Sequence, residues 1–157
     1  MIYKGSVLKW ILPHIYLLTD TGKKVYIISP WIDARVKIYV SWYIERPERT
    51  LKELANLFAR KGVRTVFVFS EDERNNDINK RSESLLDGNA FEILYIKGLH
   101  AKAVIGQRLM YLGSANITFS GIYRNTEAAN LEIVKDQQES LAQIFGEREL
   151  WQLRKMK

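Results

Sequence analysis

The hydrophobic residues of this chain follow two alternating patterns. Short apolar runs rich in β-branched and aromatic residues predict buried strands, whereas apolar residues spaced three and four apart predict helices with one buried face. The predicted strands cover residues 25–29, 63–69, 91–96, 101–105, 109–112 and 131–134. Three of the predicted helices cover residues 7–18, 47–61 and 137–151. A fourth is predicted to follow a polar loop at 71–79 and to end near residues 87–88. Strands that alternate with helices predict an α/β layered domain built on a central sheet.

Three segments carry more specific predictions. The first helix contains Pro13, which lacks the N–H of a helix interior, so we expect a kink or a division there. In residues 35–42 apolar and polar side chains alternate, which predicts a half-buried strand and leaves a short amphipathic helix as the alternative. Gly106 and Gln107 separate the strands at 101–105 and 109–112, and therefore predict that these two strands form a hairpin.

Composition narrows the class of protein. We expect residues 1–157 to fold as a single domain, because neither a repeat nor a low-complexity linker interrupts them. The chain has 46% hydrophobic and 27% charged residues, as soluble globular proteins do. Its formal net charge of +6 favours a polyanionic partner, either nucleic acid or an acidic membrane surface, although the basic residues are dispersed along the sequence.

The scarcity of some residue types excludes several kinds of chemistry. The chain has no cysteine, which excludes disulfides, thiolate metal sites and cysteine nucleophiles. It has two histidines, too few to make a zinc or iron site plausible, so we expect no metal and no other cofactor. The apolar stretch at 7–18 is too short to span a bilayer and lacks a small-residue cleavage site, so we expect no transmembrane segment and a cytoplasmic protein.

The strongest candidates for chemistry are His100 and Lys102. Alternate side chains of an extended strand share a face, so these two are expected to project together from the strand at 101–105. The hairpin would then bring Ser114 and Asn116 close to them. Lysine and asparagine can neutralise and hydrogen-bond phosphate oxygens, and histidine can act as a nucleophile or as an acid and base near neutral pH. The group therefore predicts phosphate chemistry.

These residues resemble the motifs of the phospholipase D superfamily. The family's His-x-Lys motif stands here as His100-Ala101-Lys102, and its Gly-Ser-x-Asn motif stands at residues 113–116. Residues 125–132 resemble the family's Asn-x-Glu segment before the last strand, and residues 29–32 resemble its N-terminal pattern. The resemblance implies a phospholipase D-like domain with a mixed central sheet flanked by helices on both faces.

One position departs from the family's pattern. Gln107 stands where the His-x-Lys motif is followed by Asp, and the interval to Gly113 is one residue shorter than usual. A shortened hairpin turn at Gly106 and Gln107 explains both differences. In the family that Asp is thought to support the site and not to perform the chemistry, so we expect activity to survive.

The resemblance also implies a mechanism. One histidine attacks phosphorus to give a phosphohistidine, the other protonates the leaving oxygen, and the second then activates water to release the product. Glu127 fits the carboxylate that orients the nucleophilic histidine. Because the chain carries one His-x-Lys motif, as in the small bacterial nuclease branch of the family, the resemblance implies a homodimer that pairs His100 with its symmetry mate.

Other residues and other functions stay open at this point. Arg124 and Arg108 are candidates for phosphate contacts, and Trp31 is a candidate for lining the cleft. Ser114 and Asn116 are alternatively turn residues that cap a following helix, and Glu127 is alternatively a surface carboxylate. The leading prediction is a metal-independent nuclease acting on DNA or RNA. The alternatives are a hydrolase of phospholipids or small phosphodiesters and a catalytically degenerate module that binds nucleic acid, and a role in a larger nucleic-acid-processing complex is compatible with each.

Overall fold

The computed structural model describes residues 2–4, 7–43, 45–88 and 90–155. The strands within these ranges are β1 Ile2–Lys4, β2 Lys24–Ile28, β3 Lys37–Tyr39, β4 Glu48–Thr50, β5 Arg64–Ser70, β6 Phe91–Ile96, β7 Ala103–Ile105, β8 Leu109–Gly113 and β9 Thr126–Ile133. The α-helices are α1 Leu8–Leu17, α2 Leu51–Ala59, α3 Asp77–Leu85, α4 Gln137–Ala142 and α5 Glu147–Lys155. A 3₁₀ turn covers Glu71–Glu73, and a π-helical turn covers Ser120–Arg124.

The central sheet is mixed, as predicted. Among the described residues it has seven strands in the order β1-β9-β8-β7-β2-β5-β6. Strands β2, β5 and β6 are parallel to one another, and the remaining neighbours are antiparallel. The predicted hairpin is confirmed, because Ala103 of β7 pairs with Leu112 of β8 and the turn lies at residues 106–108.

Helices cover both faces of the sheet. Alternate residues of β2 point to opposite sides, so Val25 and Ile27 belong to one core cluster while Tyr26 and Ile28 belong to the other. Helices α1, α2 and the end of α3 contribute to the first cluster, and α4 and α5 contribute to the second. The α/β class with helices on both faces is therefore confirmed.

The prediction for residues 35–42 is right about the faces and wrong about the extent. Val36, Ile38 and Val40 are buried while Lys37 is exposed, as the alternation predicted. The strand, however, covers three residues and pairs with β4 in a separate two-stranded sheet. Strand β4 occupies residues that the apolar spacing assigned to a helix from 47.

Helix α2 begins only after Thr50, for a local reason. The Thr50 hydroxyl accepts a hydrogen bond from the Glu53 backbone N–H at 3.1 Å, and the Glu53 carboxylate accepts one from the Thr50 N–H at 2.8 Å. This capping box fixes the helix N-terminus four residues later than apolar spacing alone indicated.

Three further predictions about elements need correction. The helix predicted for 137–151 is two helices, α4 and α5, separated at residues 143–146, where Gly146 favours an end. Helix α1 is one helix and is not divided at Pro13. The last strand starts at Thr126, five residues before the predicted strand, because the polar residues at 125–130 were not recognised as a strand.

Candidate active site

The candidate residues gather at one edge of the sheet because of the strand directions. Strands β2 and β8 end at this edge, whereas the antiparallel β7 and β9 begin there. The pair Ile28↔Ala103 and the pair Gly113↔Ala129 mark the last rungs of the ladders. The residues just beyond these rungs therefore lie side by side.

His100 and Lys102 lie immediately before β7, and not within a strand that starts at 101. The Lys102 carbonyl accepts a hydrogen bond from the Gly113 backbone N–H at 3.0 Å, which joins this segment to the end of β8. The Lys102 Nζ donates to the His100 carbonyl at 3.1 Å. The two residues are therefore neighbours in space as well as in sequence, and His100 is exposed to solvent.

Ser114 and Glu127 form a direct contact across the ends of β8 and β9. The Ser114 hydroxyl hydrogen-bonds to the Glu127 Oε2 and accepts from the Ala128 backbone N–H at 3.0 Å. Glu127 is buried, with 8% of its surface exposed, so the interpretation as a surface carboxylate is wrong. The alternative role of Ser114 as a helix cap is also wrong, because the Thr118 hydroxyl is the group that accepts from the Gly121 N–H in the following turn.

The charge of Glu127 affects a neighbouring phenol. Burial raises the pKa of Tyr111 to about 12, and the Glu127 carboxylate contributes to the increase. Tyr111 is 1% exposed and lies under Gly113, where any Cβ would meet its hydroxyl. Gly113 is thus required for the close packing of the Gly-Ser segment on Tyr111.

Asn116 is held by Ser29, which follows β2. The Ser29 Oγ lies 3.1 Å from the Asn116 Oδ1 and 2.8 Å from the Trp31 carbonyl oxygen. A bridge between Ile32 and Ile117, with the Asp33 N–H donating to the Ile117 carbonyl at 2.7 Å, fastens the same two segments together. The structure thereby brings Trp31 and Asn116 to one place.

Two buried polar residues at this edge were missed by sequence reasoning as site residues. Ser29 is fully buried; its sequence signals are a polar residue at the end of an apolar run and its place in the family-like pattern at residues 29–32, and neither indicates a contact with Asn116. Asn79 is also fully buried; its amide donates to the Pro30 carbonyl at 2.9 Å and accepts from the Ile32 N–H at 3.1 Å. Asn79 therefore clamps the backbone on both sides of Trp31, and no periodic pattern in the polar segment around it indicates this role.

Clefts border both halves of the candidate site. One, of about 240 Å³, is lined by Trp31, Asn116, Phe119 and Asn125 among others. The other, of about 270 Å³, lies between His100 and the connection of α4 to α5. A phosphodiester therefore has open space on either side of the edge formed by the strand ends.

The two candidate arginines lie in different places. Arg124 is exposed, and its guanidinium lies 4.9 Å from the centroid of the Phe119 ring, beside the cleft that Asn116 lines. Arg108 lies in the turn between β7 and β8, at the opposite end of the hairpin, where it forms an ion pair with Asp20 at 3.0 Å. The structure therefore does not bring Arg108 to the other candidates within this chain.

Gln107 lies in the same distant turn. Its Oε1 accepts a hydrogen bond from the Asp20 backbone N–H at 2.9 Å, and its own N–H donates to the Thr19 hydroxyl at 3.3 Å. Gln107 thus ties the hairpin to the end of α1. It lies about five strand residues, or roughly 15 Å, from the edge that carries the candidate site.

Neither a metal cluster nor a membrane span is found in the part of the chain that the structure describes. No group of three or more His, Asp or Glu side chains in these ranges could hold a metal ion. No helix there is long and apolar enough to cross a membrane.

Comparisons with known proteins identify the fold. No protein-family model matches the sequence, and no curated protein matches it. Among solved structures, the chain is similar to Nuc from Salmonella typhimurium, a phospholipase D family member, with a TM-score of 0.62 and 15% identity over 98% of this chain and 93% of that chain. It is similar also to NucT from Helicobacter pylori, with a TM-score of 0.58 and 14% identity over 98% of this chain and 94% of that chain. This chain therefore has the phospholipase D fold.

Proposed function

We propose that this chain is a phosphodiesterase of the phospholipase D superfamily that hydrolyses DNA or RNA without a metal cofactor. The observation that carries the proposal is the gathering of His100, Lys102, Ser114 and Asn116 at one edge of a sheet with the phospholipase D fold. The net charge of +6 supports a polyanionic substrate over a neutral one.

Lys102 and Asn116 are suited to bind the phosphate. An ammonium group neutralises the non-bridging oxygens, and an amide N–H donates to them. The Ser29 hydroxyl shares its one proton between the Trp31 carbonyl oxygen at 2.8 Å and the Asn116 Oδ1 at 3.1 Å, so the Asn116 Nδ2 group is the end that remains to donate to a phosphate oxygen. Ser29 thus acts as a positioning residue for Asn116.

Hydrolysis of the phosphodiester proceeds in two steps. In the first, a ring nitrogen of one histidine forms a bond to phosphorus while the bond to the leaving oxygen breaks, and the second histidine gives its proton to that oxygen. In the second, the second histidine takes a proton from water, whose oxygen attacks phosphorus and breaks the phosphorus–nitrogen bond. The first histidine is thereby regenerated.

A second copy of the chain supplies the second histidine. His100 belongs to the single His-x-Lys motif, and His14 lies on α1, where its Nδ1 is 2.8 Å from the Trp10 carbonyl oxygen. We therefore assign the second catalytic group to His100 of the partner subunit across a two-fold axis. The exposure of His100 supports this arrangement, since a buried imidazole could not meet its symmetry mate.

Glu127 and Ser114 are assigned a positioning role. The buried Glu127 carboxylate is held at the site by Ser114, and it is the candidate for orienting an imidazole in the assembled dimer. Arg124 and Trp31 are assigned to substrate binding. Trp31 lines the cleft beside Asn116, and the Arg124 guanidinium lies against Phe119, which lines the same cleft.

The first experiment measures cleavage of DNA and RNA in excess EDTA by the wild type, His100→Ala and His14→Ala. The two variants remove the chain's two histidines one at a time, so each is the control for the other. We expect the wild type and His14→Ala to cleave, and His100→Ala to lose at least about a thousandfold in rate. A silent wild type, or cleavage by His100→Ala at the wild-type rate, refutes the proposal.

Two further assays on the same proteins, hydrolysis of phosphatidylcholine and binding of DNA at a series of salt concentrations, separate the other functions. Hydrolysis of short-chain phosphatidylcholine without cleavage of nucleic acid identifies a lipid phosphodiesterase. Binding of DNA that weakens steeply with salt and yields no product identifies a binding module.

The second experiment tests the shared site. Wild type and His100→Ala are unfolded, mixed in equal amounts and refolded together, and activity per wild-type chain is measured. If two copies of His100 form one site, random pairing leaves about half of the wild-type chains in active dimers, so this activity falls to about half. Mixing with His14→Ala is the control: because that variant is itself active, the activity per total chain stays unchanged and the activity per wild-type chain about doubles. An unaltered activity with His100→Ala, or a monomer by light scattering, contradicts the dimer.

A further inference from the structure

A row of aromatic side chains extends from the candidate site towards α1. Phe119 stacks on Tyr123 with ring centroids 5.2 Å apart and an interplanar angle of 27°. The Lys9 Nζ lies 5.1 Å from the Tyr123 ring and 5.5 Å from the Trp10 ring, and so bridges the two. We name Trp31, Phe119, Tyr123 and Trp10, with Lys9 and Arg124, the aromatic strip.

The strip is exposed and continuous with the site. Phe119 is 50% exposed, Trp10 45% and Trp31 38%, while Tyr123 is partly buried. Trp31 and Phe119 line the same cleft as Asn116. A ligand whose phosphate is bound by Asn116 and Lys102 would therefore continue directly onto the rings of the strip.

Cations accompany the rings. Arg124 lies 4.9 Å from the Phe119 centroid, and Lys9 lies between Tyr123 and Trp10. Two carboxylates are near: Glu48 contributes to a raised pKa of Tyr123, and Asp33 lines the cleft but is paired with Arg35 at 3.2 Å. Rings interleaved with positive charge suit a ligand that offers both flat apolar faces and phosphates.

The backbone beneath the rings is fixed. Asn79 hydrogen-bonds to the residues on either side of Trp31, and Ser29 bonds to the Trp31 carbonyl. The Tyr123 hydroxyl donates to the Lys37 carbonyl at 2.5 Å. The Trp31 backbone and the Tyr123 ring, on which Phe119 stacks, are thus held in place before any ligand binds, which reduces the entropy lost on binding.

We propose that the aromatic strip stacks the unpaired bases of a single-stranded nucleic acid whose backbone runs into the candidate site. The inference rests on the proposed function, because it specifies which form of nucleic acid that site receives. Bases of a duplex are stacked and paired with one another, so they cannot lie on the strip. The chain should therefore bind single strands more tightly than duplexes, and each stacked base should contribute about 5- to 100-fold in affinity.

The test measures binding instead of cleavage. All proteins carry His100→Ala so that the probes stay intact, and fluorescence anisotropy follows a labelled single strand of about 15 thymidines, the same length of abasic backbone, and a duplex. The test variant is Phe119→Ala, with Phe119→Tyr as the conservative replacement. The matched control is Trp151→Ala on α5, because Trp151 is 56% exposed and also carries a lysine, Lys155, 3.6 Å from its ring centroid.

We expect Phe119→Ala to weaken binding of the thymidine strand at least about fivefold and to change binding of the abasic strand and the duplex by less than about twofold. Phe119→Tyr and Trp151→Ala should bind the thymidine strand as the background protein does. Thymidine binding that is unaffected by Phe119→Ala overturns the proposal, as does an equal loss for all three probes. A change in oligomeric mass without a change in thymidine binding also overturns it, since the strip would then be a subunit interface.

The cleavage experiment and the thymidine-binding experiment can fail independently of each other. If the wild type does not cleave but thymidine binding depends on Phe119, the stacking surface stands and the hydrolytic function fails. If the wild type cleaves through His100 but Phe119 has no effect, the function stands and the stacking surface fails.

Discussion

Asn79 has more influence on the site than its sequence context suggests. Its fully buried amide joins Pro30, Ile32 and Glu73 through three hydrogen bonds. Asn79→Ala leaves buried backbone groups without partners, so we expect the free energy of unfolding to fall by about 3 kcal/mol. Urea unfolding measures the loss. Asn75→Ala, at an exposed position in the preceding turn, is the control and should change stability by less than about 0.5 kcal/mol.

The outcome also bears on how the Trp31 segment is held. If Asn79→Ala is as stable as Asn75→Ala, the hydrogen bonds to Pro30 and Ile32 do not hold that segment, and the rigidity that we assign to Trp31 has no basis.

At the residue scale, the sequence indicated the candidate site residues more clearly than the residues that support them. His100, Lys102, Ser114 and Asn116 were found because their spacing matches a motif. Ser29 and Asn79 were missed as site residues because a buried polar residue differs from an exposed one only through its hydrogen-bond partners. The partners that connect the two residues to the site, Asn116 for Ser29 and Pro30 and Ile32 for Asn79, lie 47 to 87 residues away in sequence, and no local pattern carries that information.

The π-helical turn Ser120–Arg124 packs unusually close to the Asn116 segment. A Cβ on Gly121 would lie 2.2 Å from the Asn116 carbonyl oxygen and 3.0 Å from its nitrogen, and these are backbone atoms that cannot rotate away. We expect Gly121→Ala to cost about 1–3 kcal/mol of stability and to displace Asn116, lowering the cleavage rate at temperatures where the variant is folded.

The control for this substitution is Gly146→Ala. There the new Cβ meets the Glu149 carboxylate at 3.0 Å, a flexible side-chain end that can move. Urea unfolding should show a smaller loss for Gly146→Ala than for Gly121→Ala. Equal losses would contradict the argument from close approach to Asn116.

The two ends of the hairpin formed by β7 and β8 have different roles. Its open end carries Lys102 and Gly113, whereas Gln107 at its turn hydrogen-bonds to Asp20 and Thr19. We expect Gln107→Ala to lower the free energy of unfolding by about 1 kcal/mol and to leave the cleavage rate of the folded protein unchanged. Chemical denaturation and an activity assay at low temperature measure the two effects. A large loss of activity with unchanged stability would show that Gln107 acts on the chemistry instead.

Elements were predicted well where one residue pattern decides the structure. Strands β2, β5 and β6 are confirmed within a residue, because continuous apolar runs bounded by polar residues have one stable solution in a buried sheet. Strand β4 was missed, since its Glu-Arg-Thr sequence has no apolar alternation and forms only by pairing with β3. The separation of α4 from α5 was missed because apolar residues continue at helical spacing through the connection.

At the scale of the whole molecule, the fold places chemistry at an edge and stability in two cores. The mixed sheet sends the ends of β2 and β8 and the starts of β7 and β9 to one edge, where His100, Lys102, Ser114 and Asn116 lie outside both core clusters. Polar side chains can therefore lie at this edge without disrupting the apolar core clusters. Tyr111 is the exception, because it belongs to a core and yet lies next to Glu127.

Because of Tyr111, the free energy of unfolding of the whole molecule is expected to fall at alkaline pH. Its pKa is about 12 in the folded protein, whereas an unfolded tyrosine has a pKa of about 10. The folded state therefore holds this proton more tightly, so the stabilisation is complete below about pH 10 and is lost as the pH rises towards 12. We expect a loss of up to about 1.4 kcal/mol per pH unit from this group.

Tyr111→Phe removes this titration and leaves every other titrating group in place. The Ala115 N–H loses its phenolic partner, so the variant should be less stable than the wild type by about 1 kcal/mol near pH 8. Between about pH 10 and 12 its stability should fall less steeply, and because the wild type loses more than about 1 kcal/mol over this range the two curves should cross. Urea unfolding at a series of pH values measures both curves. Parallel curves would mean that burial and the Glu127 carboxylate do not raise the pKa of Tyr111. The charge of Glu127, at the edge of the sheet, would then have no effect on this core residue.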